Sequence, residues 1–204
     1  MNTFTDTHCH LNYNKFDDDL PDVIQRAERA GLNRIMLPGI DMEACEKAVQ
    51  IANQYEACYA AVGIHPNDAN TWEENTFEQL YSLARNNPKV LAIGEIGLDY
   101  YRDWTTPEEQ KKILHLQLTL AKKLSLPIIV HIRDTIEESF EILFAWQKEL
   151  SEDGHPLARH PGVLHAFPGD INNANQAIDH NFKIGIGGPI TFKSAHKHRA
   201  MVKD

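Results

Sequence analysis

The stretch Asp6-Thr7-His8-Cys9-His10 closes the first predicted strand, residues 3–10, and the positions of its polar side chains help to decide the fold. Because side chains alternate faces along a β-strand, His8 and His10 project to one side and Cys9 to the other. Taken alone, the two imidazoles are either a metal clamp or two polar residues where a strand meets its loop. The other strand ends favour the metal clamp.

Short apolar runs alternate with longer amphipathic stretches along the 204 residues, which is typical of a largely parallel sheet covered by helices. The predicted strands are residues 3–10, 34–40, 58–64, 90–95, 127–132, 162–167 and 182–190. The predicted helices are residues 20–30, 42–55, 76–86, 107–124, 135–150 and 171–181, and residues 193–204 begin another. Seven such strands form either an open doubly wound sheet or an incomplete eight-stranded barrel.

Metal-binding types of side chain stand at the carboxyl ends of several predicted strands. Glu95 ends the fourth strand, His131 the fifth and His165 the sixth. In a barrel all these ends meet at one rim, so the three side chains would surround one cavity together with His8 and His10. The sequence therefore predicts an α/β fold of the TIM-like (β/α) barrel type, incomplete, with about seven of the eight parallel strands present.

This set of side chains predicts two divalent cations. Four imidazoles and a carboxylate exceed the needs of one tetrahedral zinc ion, whereas a carboxylate can bridge two cations about 3.5–4 Å apart. We expect His8 and His10 to hold one cation. His131 and His165 would hold the other, with Glu95 between the two. Imidazole ligands favour Zn, Mn, Fe or Ni over Mg, but supply in the cell also matters, so Mg, Mn and Zn stay candidates.

Six motifs spread over the chain carry a family resemblance. They are DTHCHL at 6–11, VGIHP at 62–66, IGEIGLDY at 93–100, PIIVHIRD at 127–134, LHAF at 164–167 and GPITFK at 188–193. Together they resemble the TatD-like metal-dependent deoxyribonucleases of the amidohydrolase superfamily. The resemblance implies a TIM-like barrel, two divalent metal ions, and hydrolysis of DNA from the 3′ end with a preference for single strands. It identifies as metal ligands His8, His10, Glu95, His131 and His165.

The chain departs from the family pattern at its end. The family places another metal-binding aspartate in an apolar eighth strand, and the sequence stops before such a strand. We therefore expect residues 1–204 to be a single metal-dependent hydrolase domain that lacks its C-terminal part. The resemblance then implies little hydrolysis by this polypeptide alone and a fold prone to aggregate at its unpaired strand edges.

Glu95 and His65 are the predicted catalytic residues. Cations bridged by Glu95 would lower the pKa of a bound water and stabilise charge on the phosphate oxygens. His65 ends the third predicted strand before Pro66. It either contacts the substrate, donates a proton to the leaving oxygen, or anchors its loop.

Several residues near the strand ends are candidates for contacts with the substrate. Arg133 lies two residues after His131 and either binds a phosphate or forms an ion pair with Asp134. Lys193 is a second phosphate candidate, with a solvated surface lysine as the alternative.

Four aromatic residues near the same strand ends are candidates for stacking on unpaired bases, and we expect one or two of them to do so while the others pack against the protein. The four are Phe167, two residues beyond His165, and three residues of the loop after Glu95: Tyr100, Tyr101 and Trp104. Two carboxylates complete the predicted site: Asp6 would hold a strand-end histidine through a hydrogen bond, and Asp99 would order the loop. Both are alternatively simple turn residues.

Composition narrows the function classes. A formal net charge of -9 argues against a protein that coats duplex nucleic acid, since that binding depends on many Lys and Arg contacts. Single-stranded DNA ends are the expected partner, with bound cations supplying the positive charge. No apolar run is long enough to span a bilayer, and three cysteines suit a reducing compartment, so we expect a cytoplasmic protein without membrane contact. A monomer is expected for the full-length protein.

Two other functions stay open at this point. Related barrels hydrolyse esters or amides, so an aminoacyl-tRNA deacylase with the same metal site is one alternative. An inactive, truncated, metal-binding remnant is the other.

Overall fold

The computed structural model of the chain describes residues 3–203, which form one parallel sheet with helices between the strands. The strands are β1 (Phe4–Asp6), β2 (Leu32–Pro38), β3 (Cys58–Val62), β4 (Val90–Asp99), β5 (Ile128–Arg133), β6 (Gly162–Leu164) and β7 (Lys183–Ile184). The helices are α1 (Leu20–Arg29), α2 (Met42–Gln54), α3 (Thr76–Asn86), α4 (Pro107–Leu124), α5 (Ile136–Glu152), α6 (Ile171–Asp179) and α7 (His196–Lys203).

The order of the strands decides between the two predicted architectures. Each strand pairs in parallel with the next one along the chain, in the order β1 to β7, with no reversal. A doubly wound sheet reverses its strand order at a switch point, whereas a barrel keeps sequence order. The prediction of an incomplete TIM-like barrel is therefore confirmed, with seven parallel strands in the described residues.

The sheet is strongly curled. His8, just after β1, and His165, just after β6, have ring centroids 3.4 Å apart although four strands lie between β1 and β6. In a flat sheet, five steps of about 4.8 Å would separate these strands by roughly 24 Å. The sheet therefore bends into a partial barrel, which brings the carboxyl ends of distant strands together.

Local sequence explains most element boundaries. Helix α4 begins with a capping box, in which Thr106 and Glu109 satisfy each other's backbone N–H groups. The central strands are almost fully buried, because helices cover one face and the barrel interior lies on the other.

Within the described residues, no helix has both the length and the apolar character needed to cross a membrane.

The ends of β1, β4 and β7 differ most from the predicted strand ends. Strand β1 ends at Asp6, because the Asp6 carboxylate accepts a hydrogen bond from the His8 backbone N–H and turns the chain. Strand β4 continues to Asp99, four residues beyond the predicted end at Glu95. Strand β7 has two residues instead of nine, because the glycines of 185–188 lead into a 3₁₀ turn, Gly188–Thr191.

Gly97 permits the close approach of β4 and β5 below the rim. It has a φ of +143°, and a Cβ there would lie 2.0 Å from the His131 carbonyl oxygen. An L side chain at this position would be both strained and in collision with backbone that has little room to move.

We therefore expect Gly97→Ala to lower the free energy of unfolding by on the order of 3 kcal/mol, measured by urea denaturation. Gly154→Ala is the matched control, since Gly154 also has a positive φ of +63° but open space around it. Its expected loss is about 1 kcal/mol, from backbone strain alone. Equal losses in the two variants would show that the approach of β4 to His131 is not restricted in this way.

Candidate metal centre

Five side chains from separate parts of the chain meet at the carboxyl rim of the sheet. They are His8 and His10 after β1, Glu95 in β4, His131 in β5 and His165 after β6. Curling of the sheet brings the carboxyl ends of the first and sixth strands close to Glu95 in the fourth. The structure thus gathers the four predicted histidine ligands around the fifth, the Glu95 carboxylate.

Glu95 lies at the centre of this group, and its two oxygens face different imidazoles. Oε2 is 3.3 Å from His8 Nε2 and 3.5 Å from His10 Nε2, while Oε1 is 3.1 Å from His131 Nδ1. A register shift between Ile93 and Ile96 places Glu95 in a bulge of β4. The carboxylate is therefore positioned to bridge two sets of nitrogen atoms.

Glu95 is 3% exposed, yet it is held as a carboxylate. Burial by itself raises the pKa of this group, but hydrogen bonds from His10, His131 and His8 outweigh burial and hold the pKa well below its ordinary value. An ionised acid in a buried position needs positive charge nearby.

His8 and His10 present their Nε2 atoms to each other at 3.0 Å, beside Glu95 Oε2. Nitrogens this close are what a single cation gathers when its bonds to nitrogen are about 2.0–2.1 Å long. Both Nδ1 atoms are buried with no hydrogen-bond partner in the part of the chain that the structure describes. With Nε2 as the ligand atom, each ring would carry its proton on Nδ1, and the free energy of ligation would have to outweigh the roughly 1–3 kcal/mol that an unpaired buried N–H costs.

His165 lies on the side of His8 and not on that of His131. Its ring stacks on the His8 ring at an interplanar angle of 10°, and its ligand atom lies within 4.8 Å of those of His8 and Glu95. The expected pairing of His165 with His131 is therefore not found. Burial lowers the pKa of His165 to about 4, so the ring is neutral and has a lone pair for a metal at neutral pH.

His65 also reaches the group, with Nε2 4.0 Å from Glu95 Oε1 and its ring centroid 4.6 Å from that of His131. Its Nδ1 accepts a hydrogen bond from the Asn67 backbone N–H at the start of the 3₁₀ turn Pro66–Thr71. Burial lowers the pKa of His65 to about 4, so one ring nitrogen carries a proton and the other does not. Because Nδ1 accepts, the proton is on Nε2, the nitrogen that faces Glu95.

The loop-anchoring alternative for His65 holds as well, and it does not compete with the donor role. His155 makes the same cap at Pro156–Arg159, where its Nδ1 accepts from the Leu157 backbone N–H. A histidine before proline therefore uses Nδ1 for the turn in both places. Nε2 of His65 stays available to face Glu95.

Asp99 belongs to the centre more directly than the sequence predicts. It is 1% exposed, its Oδ2 lies 3.0 Å from His131 Nε2, and its Oδ1 accepts from the Tyr101 backbone N–H, as expected for a residue that orders the loop. The contact with His131 follows from the continuation of β4, since Glu95, Gly97 and Asp99 alternate with apolar Ile96 and Leu98. That alternation in the sequence is the signal that predicts Asp99 on the same face as Glu95.

His131 lies between the two carboxylates, one at each ring nitrogen. With its Nε2–H donated to Asp99, Nδ1 directs a lone pair at Glu95 Oε1 unless a proton or a cation lies between them. Burial opposes the charged form, but Glu95 and Asp99 outweigh it and raise the pKa of His131. A carboxylate behind a histidine that faces a metal is the usual way to orient such a ligand.

The buried carboxylates at this rim favour the binding of divalent cations. Glu95 and Asp99 are both buried, and among the described residues their ion-pair partners are histidines, with no Lys or Arg. Neutral imidazoles leave this negative charge uncompensated, which is expensive in a buried site. The donor set of imidazole and carboxylate suits Zn, Mn and related divalent ions.

Helix α4 holds two of the loops at the centre through buried amides. Gln117 accepts from the Ile64 backbone N–H and donates to the Ile64 carbonyl, next to His65. Gln110 forms the same pair of bonds with the backbone of Asp99. Both side chains are buried, and each provides the hydrogen-bond partners that these backbone groups would otherwise lack.

Asp6 fixes the backbone of His8 and not an imidazole ring, as its Oδ1 accepts from the His8 N–H at 3.0 Å. The expected hydrogen bond to a strand-end histidine is thus made to its main chain.

The stacking prediction for Phe167 is wrong. This ring is 2% exposed and lies in the core beside Phe140. Ala166 has a φ of +42°, which breaks the alternation that would have placed Phe167 on the side of His165. Tyr100 is half-buried, and its hydroxyl donates to Glu138 on α5.

The two basic candidates differ in their surroundings. The Arg133 guanidinium lies 3.6 Å from the centre of the Tyr101 ring, and the alternative ion pair with Asp134 is not among those of the described residues. Lys193 is exposed between a 3₁₀ turn and α7, and its carbonyl accepts from Arg199. The described contacts do not connect Lys193 with the histidines.

Comparison with known proteins gives a consistent family. The model of the family described as TatD related DNase matches residues 5–204. An uncharacterized metal-dependent hydrolase of Bacillus subtilis, YabD, is 38% identical over 199 residues, which are 98% of this chain and 74% of that protein. The 3'-5' ssDNA/RNA exonuclease TatD of Escherichia coli is 35% identical over 184 residues, 90% of this chain and 66% of that protein. The crystal structure of the TatD homolog YjjV from Escherichia coli superposes with a TM-score of 0.87 at 35% identity, covering 98% of this chain and 73% of that one.

We expect Gln117→Met to lower the free energy of unfolding by about 2–4 kcal/mol, because it leaves the buried N–H and carbonyl of Ile64 without partners. Urea denaturation measures the change. Lys112→Met, on the exposed side of the same helix, is the control and should stay within about 0.5 kcal/mol of the wild type. A loss of similar size in both variants would mean that the amide pair does not hold this loop.

Proposed function

Because the chain belongs to the TatD-related DNase family and is a metal-dependent hydrolase, we propose that it hydrolyses phosphodiester bonds of DNA, acting as a 3′-5′ exonuclease on single strands. The observation that carries the proposal is the buried Glu95 carboxylate, whose two oxygens face different imidazoles. That arrangement supports two divalent cations held side by side. The name of the Escherichia coli relative supports a single-stranded nucleic acid as the substrate.

The residues divide into two groups around Glu95. His8 and His10 would hold one cation with Oε2, and we now place His165 with them because its ring stacks on His8. His131 would hold the other cation with Oε1, oriented from behind by Asp99. When bound, such a pair supplies a water of lowered pKa and neutralises charge on the phosphate.

His65 is the proposed proton donor to the leaving oxygen. Its Nδ1 is occupied by the Asn67 N–H, which keeps the proton on the Nε2 that faces the centre. Arg133 is the proposed phosphate contact, because a guanidinium that stacks on a ring keeps its N–H groups free at the edge. Lys193 stays a prediction as a second phosphate contact.

The remaining expectations are carried as proposals. One sheet and one main core support a single domain over residues 1–204. A monomeric, cytoplasmic protein stays a prediction.

The experiment compares hydrolysis of 3′-labelled single-stranded DNA, aminoacyl-tRNA and simple amides by the full-length protein with Mn²⁺. We expect DNA to be the substrate and EDTA to abolish the activity. Glu95→Gln should lower kcat on the order of 1,000-fold, since it removes the shared carboxylate. Glu108→Gln, an exposed acid on α4, is the control and should leave kcat unchanged.

Turnover confined to aminoacyl-tRNA or amides would replace the nuclease proposal with the esterase or amidase alternative. Metal binding without turnover of any substrate would favour the inactive metal-binding alternative.

Metal stoichiometry tests the number of cations. We expect elemental analysis after dialysis against Zn²⁺ to find two ions per chain, one in His10→Ala and none in Glu95→Ala, because both ions share Glu95. His115→Ala, an exposed histidine of α4, should retain two. One ion per wild-type chain would contradict the two-cation arrangement.

A further inference from the structure

The loop that follows β4 exposes two large aromatic rings next to the metal centre. Tyr101 is 57% exposed and Trp104 is 61% exposed. The neighbouring Tyr100 and Thr105 are instead held by hydrogen bonds, from Tyr100 to Glu138 and from Thr105 to the Pro66 carbonyl. The loop is thus anchored on both sides of the exposed rings, so the exposure of these rings is not a consequence of a loose segment.

Two guanidinium groups accompany the rings. Arg133 lies 3.6 Å from the centre of the Tyr101 ring, and Arg102 lies 5.2 Å from Tyr101 and 5.3 Å from Trp104. Cations over ring faces at these distances are attracted by the ring quadrupole and hold the rings in place. We call these four residues the aromatic surface: Tyr101, Arg102, Trp104 and Arg133.

The aromatic surface is tied to the metal centre by short connections. The Tyr101 backbone N–H donates to Asp99, whose other oxygen contacts His131. Arg133 pairs with Asp99 across β4 and β5, and its carbonyl accepts from the Tyr100 N–H. These connections place Tyr101 beside Asp99 and His131, at the carboxyl ends of β4 and β5.

We propose that the aromatic surface stacks the unpaired bases of the nucleic acid whose phosphodiester lies at the metal centre, an inference that rests on the proposed function. Flat rings bind the faces of bases, and the guanidinium groups bind the phosphates between them. In a duplex the base faces are covered by their neighbours, so the surface selects single strands. Trp104 and Tyr101 supply the stacking, in place of Phe167 and Tyr100.

The test measures Kd by fluorescence anisotropy with Mn²⁺ and two single-stranded octamers that resist hydrolysis. One is phosphorothioate-linked octathymidylate and the other is an abasic octamer with the same backbone. We expect the wild type to bind the base-bearing octamer more tightly. Trp104→Ala and Tyr101→Ala should each weaken that binding roughly tenfold and leave the abasic octamer unaffected, because only base stacking is lost.

Two control variants separate stacking from general loss of structure. Trp104→Phe keeps a ring and should retain most of the affinity. Phe4→Ala removes an exposed ring at the opposite end of β1 and should change neither Kd. Equal binding of the two octamers by the wild type, or unchanged binding of the base-bearing octamer in both alanine variants, would overturn the proposal.

Hydrolysis of a natural abasic phosphodiester octamer distinguishes this inference from the proposed function. We expect the wild type and Phe4→Ala to hydrolyse it at the same rate. Base-selective binding without any hydrolysis would reject the nuclease proposal and support the stacking surface. Hydrolysis without base selectivity would do the opposite.

Discussion

The buried negative charge at the rim of the sheet is the constraint on which the rest of the structure depends. Glu95 and Asp99 lie almost wholly out of water, and their partners are imidazoles that cannot all be protonated. Burial keeps His65 and His165 neutral, with pKa values lowered to about 4. Divalent cations would balance the charge of the acids and bind the Nε2 atoms that His8 and His10 direct at Glu95.

The curled sheet makes this concentration of charge possible. Curling of the sheet brings His165 onto His8, and Gly97 lets β5 approach β4 closely enough for His131 to reach between the two acids. Helix α4 supplies amide side chains to backbone groups that the rim leaves unpaired. The positions of the predicted ligands therefore depend on residues around the centre, through packing at Gly97 and hydrogen bonds from Gln110 and Gln117.

Much of this could be predicted from the sequence, because strand ends carry a strong signal. Each predicted ligand lies at the carboxyl end of a predicted strand, and the structure brings these ligands together: His8, His10, Glu95, His131 and His165. The predicted helix at 107–124 agrees with α4 at both ends. These features depend on local order along the chain, which sequence patterns describe well.

What could not be predicted depends on backbone turns and on distant partners. An acid after Gly94 was interpreted as the end of a strand, so the continuation of β4 to Asp99 was missed. Phe167 was misplaced because alanine gives no warning of a positive φ at position 166. Gln110 and Gln117 resemble surface residues of an amphipathic helix, and only the tertiary structure shows that they are buried.

Anomalous scattering from a crystal of the chain grown with Mn²⁺ tests the central claim most directly. The account predicts two peaks about 3.5–4 Å apart, one beside each oxygen of Glu95. A map with no peak at Glu95, or with ions bound only elsewhere on the surface, would contradict it.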